Sequence, residues 1–200
     1  MINVQSKAIT TDFFFAKFQK VEYIQSSWDW TLTWQYINTW ISIESWVSLK
    51  VEVDFHRLNN ATTQERDIFA YYQWQYSDYI IWFQGWSFHS ILNSHDKWTL
   101  PSTWTPNTYS TNTRYKVIAE WTTNSSSNTP YLFASNENGS RKRDISAKLY
   151  YCKVWKNNIL IREFIPCYRK SDNVIWLLDI VNKQFYTNKW SWNFTKWPNI

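Results

Sequence analysis

Two carboxylates that stand two residues apart are the first candidates for chemistry in this chain. Glu52 and Asp54 lie in the segment KVEVDF, in which every second residue is apolar. On a strand, residues at this spacing share a face about 6.6 Å apart, whereas retaining glycoside hydrolysis needs two carboxyl groups about 5–5.5 Å apart. His56 and Arg57 occupy the next two positions, so the row of carboxylates ends at Asp54. We therefore predict a solvated polar strand face and assign no catalytic residue.

The histidines and the other aspartates do not form a recognisable metal motif. His56, His89 and His95 lack the HxH and HExxH spacings and have no cysteine nearby, so a zinc site is not predicted. Four aspartates could offer oxygen ligands to a structural calcium ion, although there is no D-x-D-x-D-G loop. They are Asp96, Asp144, Asp172 and Asp179. We expect no cofactor, with structural calcium as the open alternative.

The charge pattern argues against nucleic acid as a partner. The chain has 21 Lys and Arg against 16 Asp and Glu, and only residues 141–143 form a basic cluster, which is typical of a solvated loop. No phosphate-binding glycine loop is present.

No apolar run approaches the roughly 18 residues of a membrane span, so membrane insertion is not predicted. Residues 1–19 lack the pattern of a signal peptide, so a secretory signal is either absent or upstream of this fragment.

Cys152 and Cys167 are expected to be free thiols that are partly buried. A hairpin turning at residues 156–158 would place Cys152 near Arg162 and Cys167 near Ala147, so the two cysteines would not face each other. Two cysteines also do not make a disulfide framework.

Glycine is scarce and tryptophan is abundant in segments of the same kind. The chain has 2 Gly and 16 Trp, whereas average composition predicts roughly 14 Gly at this length. Tryptophan falls among turn-forming residues at 26–34, 38–40, 84–86 and 188–200, and each segment becomes an ordinary turn sequence if Trp is read as Gly. Glycine adopts positive φ easily, whereas a bulky aromatic residue does not.

These observations suggest a hypothesis about the genetic code. Some bacteria read UGA as glycine, and a table that reads UGA as tryptophan would produce this sequence. Trp155 is excepted, because it continues the strand pattern KLYYCKVWK. The alternative is a Trp-rich protein with aromatic platforms for sugars or bases; it explains the surplus of Trp but not the deficit of Gly.

The chain is otherwise a series of short strands separated by turn residues. The clearest strand is 48–56, in which apolar and polar residues alternate. Others are predicted at 21–25, 35–38, 41–43, 68–72, 79–83, 87–92, 114–119, 131–135, 147–156, 159–165, 174–180 and 184–187. Asn157-Asn158 and Asn182-Lys183 are typical of two-residue hairpin turns. Without a convincing amphipathic helix, the pattern indicates an all-β sandwich or barrel of antiparallel sheets.

Several segments match the pattern of a known family. They are VEYIQSS (21–27), QYINTWI (35–41), KVEVDF (50–55), NTRYKVIAE (112–120) and the stretch from YLFASNENGS (131–140) through the tail. In these segments the chain resembles the concanavalin A-like, laminin-G-like jelly-roll domains of bacterial surface proteins and of phage tail or fibre proteins. The resemblance covers residues 20–200, is weakest over 56–111, and leaves residues 1–19 as an N-terminal extension or linker.

The resemblance also bears on the tryptophans and on the carboxylates. Family members carry glycine at positions that correspond to Trp40, Trp176, Trp190, Trp192 and Trp197. Some glycosidases of this fold carry the strand pattern E-x-D-x-E, whose last glutamate is missing here.

The resemblance implies an antiparallel jelly-roll β-sandwich that binds without catalysis. The expected role is that of a carbohydrate- or surface-ligand-binding module in a larger cell-envelope or virion protein. Its expected partners are a glycan or another cell-surface ligand and the other domains of that protein, and its expected location is extracellular, on a cell surface or on a virion. No ligand-binding residue is assigned. A glycoside hydrolase of the same fold and a purely structural assembly domain are the alternatives.

Overall fold

The computed structural model describes residues 16–26, 35–58, 65–72, 79–84, 87–92, 95–96, 114–123, 129–189 and 194–200. Apart from the two helical residues 16–17, the regular elements within these ranges are strands. They are β1 (Phe18–Gln25), β2 (Ile37–Asn38), β3 (Ser48–Arg57), β4 (Glu65–Tyr72), β5 (Tyr79–Gln84), β6 (Ser87–Leu92), β7 (His95–Asp96), β8 (Arg114–Thr122), β9 (Tyr131–Leu132), β10 (Ser135–Glu137), β11 (Ser140–Lys142), β12 (Ala147–Lys156), β13 (Ile159–Arg169), β14 (Ile175–Asp179), β15 (Gln184–Tyr186) and β16 (Thr195–Asn199). No helix in the described ranges has the length and apolar character to span a bilayer.

The strands form two sheets. Sheet A has the order β15-β14-β13-β1-β12-β3-β8, with β16 paired to β1, and all of its pairings are antiparallel. Sheet B has the order β11-β10-β4-β5-β6-β7, and β9 joins β2 to β4. The pairing of β10 with β4 is parallel, and the other pairings of sheet B are antiparallel.

The core lies between the two sheets. On β3, alternate residues from Leu49 to Phe55 are buried, because successive side chains of a strand point to opposite faces. They belong to one apolar cluster with Ile68, Leu132 and Phe133 from the region of sheet B. The shared cluster makes the protein an all-β sandwich, as the alternating pattern predicts.

The predicted strands agree best with the structure where alternation is long. Strands β6 and β12 have the predicted bounds, and β8 and β13 continue beyond theirs. The predicted strand at 41–43 is wrong: Ile41 and Ile43 are buried, but only Ile43 makes an isolated bridge, so their spacing reports burial rather than ladder pairing. The predicted strand at 131–135 is divided into β9 and β10 at Phe133, whose φ is 67°.

Three described strands were not predicted: β7, β11 and β16. Strand β16 contains Pro198, which cannot donate a ladder hydrogen bond. It nevertheless forms, because among the described strands β16 pairs with β1 alone, and a strand that pairs on one side tolerates proline.

One of the two predicted hairpin turns is confirmed. Asn157 and Asn158 join β12 to β13 with φ of 50° and 64°, as a two-residue turn with two left-handed residues requires. The predicted two-residue turn at Asn182-Lys183 is wrong, because residues 180–183 all lie between β14 and β15. The Asp179 carboxylate holds this longer turn by accepting hydrogen bonds from the Val181 N–H at 3.1 Å and the Asn182 side chain at 2.7 Å.

Both cysteines are free, as predicted, but they are fully rather than partly buried. Their predicted neighbours are wrong. Cys152 lies opposite Phe164, because the β12–β13 register shifts at Val154 and Trp155. Cys167 lies opposite Lys20 of β1 and Trp176 of β14. The predicted hairpin paired this end of β13 with β12, whereas the structure pairs it with β1. Burial raises the pKa of both thiols, that of Cys167 to about 12.

We predict that neither thiol reacts with a water-soluble disulfide reagent while the chain is folded. Attack requires the thiolate and access to the reagent, and burial removes both. Thiol titration at about pH 8 should release no chromophore from the native chain and two equivalents in denaturant without reductant. Zero equivalents in denaturant would mean that the cysteines are oxidised, which would contradict the free-thiol assignment.

Candidate functional site

The two carboxylates of β3 lie on the outward face of sheet A. Alternation directs Leu49, Val51 and Val53 into the core and therefore directs Glu52 and Asp54 to the opposite face. The outward direction of the two carboxylates is confirmed, but their predicted full exposure to solvent is wrong. The Glu52 and Asp54 side chains are only 13% and 10% exposed, because side chains of the neighbouring strands cover them.

Cations of the edge strand β8 cover both carboxylates. Arg114 donates from Nε to Asp54 Oδ1 at 2.7 Å and from Nη2 to Oδ2 at 2.9 Å, so both carboxylate oxygens are engaged. Lys116 Nζ lies 2.8 Å from Glu52 Oε1. Burial of a carboxylate is costly unless it is paired and hydrogen-bonded, and here both conditions are met from one strand.

An irregularity in β12 brings two consecutive tyrosines to this face. The register shifts between Leu149, opposite Phe55, and Tyr151, opposite Asp54, so Tyr150 is an extra residue. In a regular strand Tyr150 and Tyr151 would point to opposite faces, whereas a bulge relaxes that requirement. The Arg114 guanidinium carbon lies 3.6 Å from the centre of the Tyr150 ring, and the Tyr151 hydroxyl donates to Glu52 Oε1 at 2.5 Å.

These six side chains form two neighbouring groups on the outward face of sheet A, Asp54 with Arg114 and Tyr150 and Glu52 with Lys116 and Tyr151, which we together call the tyrosine platform. It consists of Glu52, Asp54, Arg114, Lys116, Tyr150 and Tyr151. Further contacts extend it along sheet A in both directions. The ring of Tyr23 lies 5.3 Å from that of Tyr150, and Lys148 Nζ lies 4.4 Å from the centre of the Tyr23 ring. On the other side, Lys153 Nζ lies 5.5 Å from the centre of the Tyr151 ring and pairs with Glu163 at 3.2 Å.

The hydrogen bonds of the platform set its protonation state. Burial by itself raises the pKa of Glu52, but hydrogen bonds with Lys116 and Tyr151 outweigh that effect and hold it below its ordinary value. Burial and the bond to Glu52 raise the pKa of Tyr151 to about 12. The same glutamate raises the pKa of Lys116. At neutral pH Glu52 is therefore ionised, whereas Tyr151 and Lys116 hold their protons.

The histidines and the other charged residues considered from the sequence are not part of the tyrosine platform, or their side chains lie outside the described part of the structure. Alternation places His56 on the platform face of β3, whereas Arg57 is buried on the core side. Burial, followed by repulsion from Arg66, lowers the pKa of Arg57 to about 10. His89, His95 and Asp96 lie in β6 and β7, but the description does not include their side chains.

The described aspartates considered as calcium ligands have separate structural partners. Asp144 is buried and bonds to Arg141, whereas Asp172 bonds to Arg169 at the surface. Asp179 is buried and accepts the Glu163 N–H at 3.1 Å. Across the described ranges no three His, Cys, Asp or Glu side chains form a group that could hold a metal ion.

Sequence reasoning missed four members of the platform. Arg114 and Lys116 occupy alternate positions of RYKVIAE, which indicates only that they point away from the core. The Tyr150-Tyr151 doublet carries no local sign that both rings face outward. Pairing of a polar strand face with a neighbouring cationic strand could have been proposed only if the order of β12, β3 and β8 had been known.

No protein-family model, curated protein or solved structure matches this chain.

We predict that Glu52→Gln destabilises the chain in a pH-dependent way. The substitution weakens charge-assisted hydrogen bonds to Glu52, so the free energy of unfolding near pH 7 should fall by roughly 1–3 kcal/mol. Because the pKa of Glu52 is lowered in the folded chain, its stabilisation is present above the unfolded value and is lost as the pH falls through the folded value. Urea unfolding at a series of pH values from about 7 to about 3 should show the free energies of unfolding of the unsubstituted chain and of Glu52→Gln converging as the pH falls.

The matched control is Glu44→Gln. Glu44 makes an ion pair of 2.6 Å with Lys156, but its side chain is exposed, so its loss should cost less than about 1 kcal/mol. Equal effects of the two substitutions at neutral pH would contradict the role assigned to the covered glutamate.

Proposed function

We propose that the chain is a noncatalytic module that binds a carbohydrate or another surface ligand through the tyrosine platform. In this proposal it is a jelly-roll domain of a larger cell-envelope or virion protein, located outside the cell or on the virion, with the other domains of that protein as its partners. The family and the location rest on the resemblance of the sequence. The placement of the binding site rests on the geometry of sheet A.

The observation that carries the binding site is the pair of tyrosine rings held beside fixed polar groups. The bond to Glu52 and the cation over Tyr150 restrict both rings before any ligand arrives, which reduces the entropy lost on binding. The Arg114 and Lys116 side chains are 49% and 54% exposed, so part of each cation faces solvent. Sugars bind protein surfaces through an aromatic face and a few directed hydrogen bonds. The platform offers two half-buried tyrosine rings, one of them stacked against Arg114, beside partly exposed cationic donors.

The protonation state of the platform favours binding over hydrolysis. Retaining and inverting glycosidases both need a carboxylic acid that keeps its proton until it protonates the leaving group. Glu52 has a lowered pKa and is ionised, and both oxygens of Asp54 accept bonds from Arg114. Neither side chain is poised to act as that acid.

A glycoside hydrolase of the same fold is the second candidate. It is favoured by one observation: Glu52 and Asp54 share an outward strand face, as the catalytic carboxylates of jelly-roll glycosidases do. In this case substrate binding would have to displace Arg114 or Lys116 from its carboxylate.

We predict that Arg114→Ala weakens ligand binding, whereas Arg169→Ala does not. Both arginines are partly exposed, pair with an aspartate and lie over an aromatic ring, so the two substitutions match in kind and differ in location. Loss of one charged hydrogen-bond donor and of the support for Tyr150 should weaken binding by about tenfold or more. The measurement is binding of a multimerised chain to a broad glycan array, followed by titration of each hit, because multivalency makes weak single sites visible.

Three other outcomes would contradict the proposal. Equal weakening by both arginine substitutions would remove the platform as the site. Release of reducing ends that Glu52→Gln abolishes would establish the hydrolase. An absence of binding across the array, combined with self-association or capture of other domains of the same protein, would favour a purely structural assembly domain.

A further inference from the structure

Two exposed tryptophans have a left-handed backbone. Trp40 has φ of 53° and Trp46 has φ of 62°, and the two residues are 57% and 77% exposed. In this region the Cβ atom of an L-residue crowds its own backbone, whereas glycine enters it freely. A large aromatic side chain therefore introduces strain at these positions. Because the side chain is exposed, it buries little apolar area that could offset that strain.

Most other left-handed residues in the described ranges are of types that tolerate this conformation. They are Asn138, Gly139, Asn157, Asn158 and Asn173; asparagine and glycine are the usual residues there. Arg143 and Lys183 share the conformation but are not aromatic. Asparagine and glycine thus occupy five of the ten left-handed positions of the described ranges, and Trp40 and Trp46 are the two exposed aromatic residues among the other five.

Phe133 shows what compensates an aromatic residue in this conformation. Its φ is 67°, but it is fully buried, its ring lies 4.8 Å from that of Phe194, and it belongs to the core cluster. Burial of that side chain offsets the backbone strain. Trp40 is instead met by Lys189 Nζ at 5.0 Å in an exposed cation–π contact, which is a weak interaction.

The backbone at both turns is held by bonds that do not involve the indole. The Trp40 N–H donates to Asn38 Oδ1 at 2.9 Å, and Thr39 Oγ1 donates to the Pro130 carbonyl at 2.7 Å. The Trp46 N–H donates to the Thr123 carbonyl at 2.7 Å, and the Val47 N–H donates to Thr123 Oγ1 at 2.8 Å. The left-handed conformation is therefore imposed by the surrounding chain, whichever side chain stands at position 40 or 46.

We propose that the protein made in its own cell carries glycine at positions 40 and 46, decoded from UGA, and tryptophan at position 155. The count of 2 Gly against 16 Trp is the independent observation on which the codon assignment rests. Trp155 lies in β12, partly buried, with Lys50 Nζ 5.2 Å from its ring, and an extended strand accommodates an aromatic residue. Trp176 and Trp197 also lie in strands, so the backbone does not select glycine there and they are outside this proposal.

The proposal changes which side chains are available to a ligand. With glycine at 40 and 46, two of the most exposed indoles of the described surface disappear. Trp197 then remains as the exposed tryptophan of the described ranges, at 64%, whereas Tyr150 and Tyr151 are half-buried and held in place by Arg114 and Glu52.

The deciding experiment combines the gene sequence with tandem mass spectrometry of the protein from its native cells. Trypsin cleaves after Lys20 and Lys50 and leaves positions 40 and 46 in one peptide, because residues 21–49 contain no Lys or Arg. Fragment ions should place glycine at both positions beside UGA codons, and a chymotryptic peptide should place tryptophan at 155 beside a UGG codon. Tryptophan at 40 or 46 in the native peptide, or glycine at 155, would overturn the assignment.

A second measurement tests the physical reason independently of the gene. In the chain as written, Trp40→Gly and Trp46→Gly should each raise the thermal unfolding midpoint, whereas Trp155→Gly should lower it. Trp40→Ala and Trp46→Ala are the matched controls, because they remove the same indole but retain Cβ. Each alanine variant should unfold at a lower temperature than its glycine counterpart. Equal midpoints for alanine and glycine would show that the left-handed backbone does not select glycine.

Discussion

Strand β3 imposes the constraint on which the core and the candidate site both depend. Its successive side chains must point to opposite faces, so the row from Leu49 to Phe55 enters the core and Glu52 and Asp54 necessarily face outward. Because β3 pairs with β8 on one side and β12 on the other, its polar row lies between two other rows. A slip of one residue would bury the carboxylates in the core and expose its valines.

The outward carboxylates in turn determine what the neighbouring strands must supply. A largely covered carboxylate is stable only with charge-assisted partners. Arg114, Lys116 and Tyr151 provide them, and the exposed parts of the cations remain open to solvent. One set of contacts therefore serves stability and leaves a structured polar surface. This dual role is the reason for preferring a binding surface to a catalytic one, since the same bonds keep Glu52 ionised.

The turns form a second layer of constraint, which concerns backbone conformation rather than burial. The hydrogen bonds of Asn38, Thr39 and Thr123 fix the chain on either side of the left-handed positions at 40 and 46. Elsewhere the fold meets the same requirement with asparagine, as in the hairpin between β12 and β13. A sandwich of many short strands needs numerous left-handed residues, and a composition of 2 Gly in 200 residues is difficult to reconcile with that need.

The sequence by itself determined the features that depend on local periodicity. The all-β class, the bounds of β6 and β12, the Asn157-Asn158 turn and the unpaired thiols were all predictable, because alternation and turn chemistry act over a few residues. Tertiary structure alone decided the platform. Arg114 meets Asp54 across 60 positions of sequence, and the outward direction of Tyr150 depends on a register shift against β3. Alternation assigns each side chain to a face and opposes a one-residue slip, but it does not choose the partner strand, so strand order and the contacts between distant strands are decided by packing of the whole sandwich.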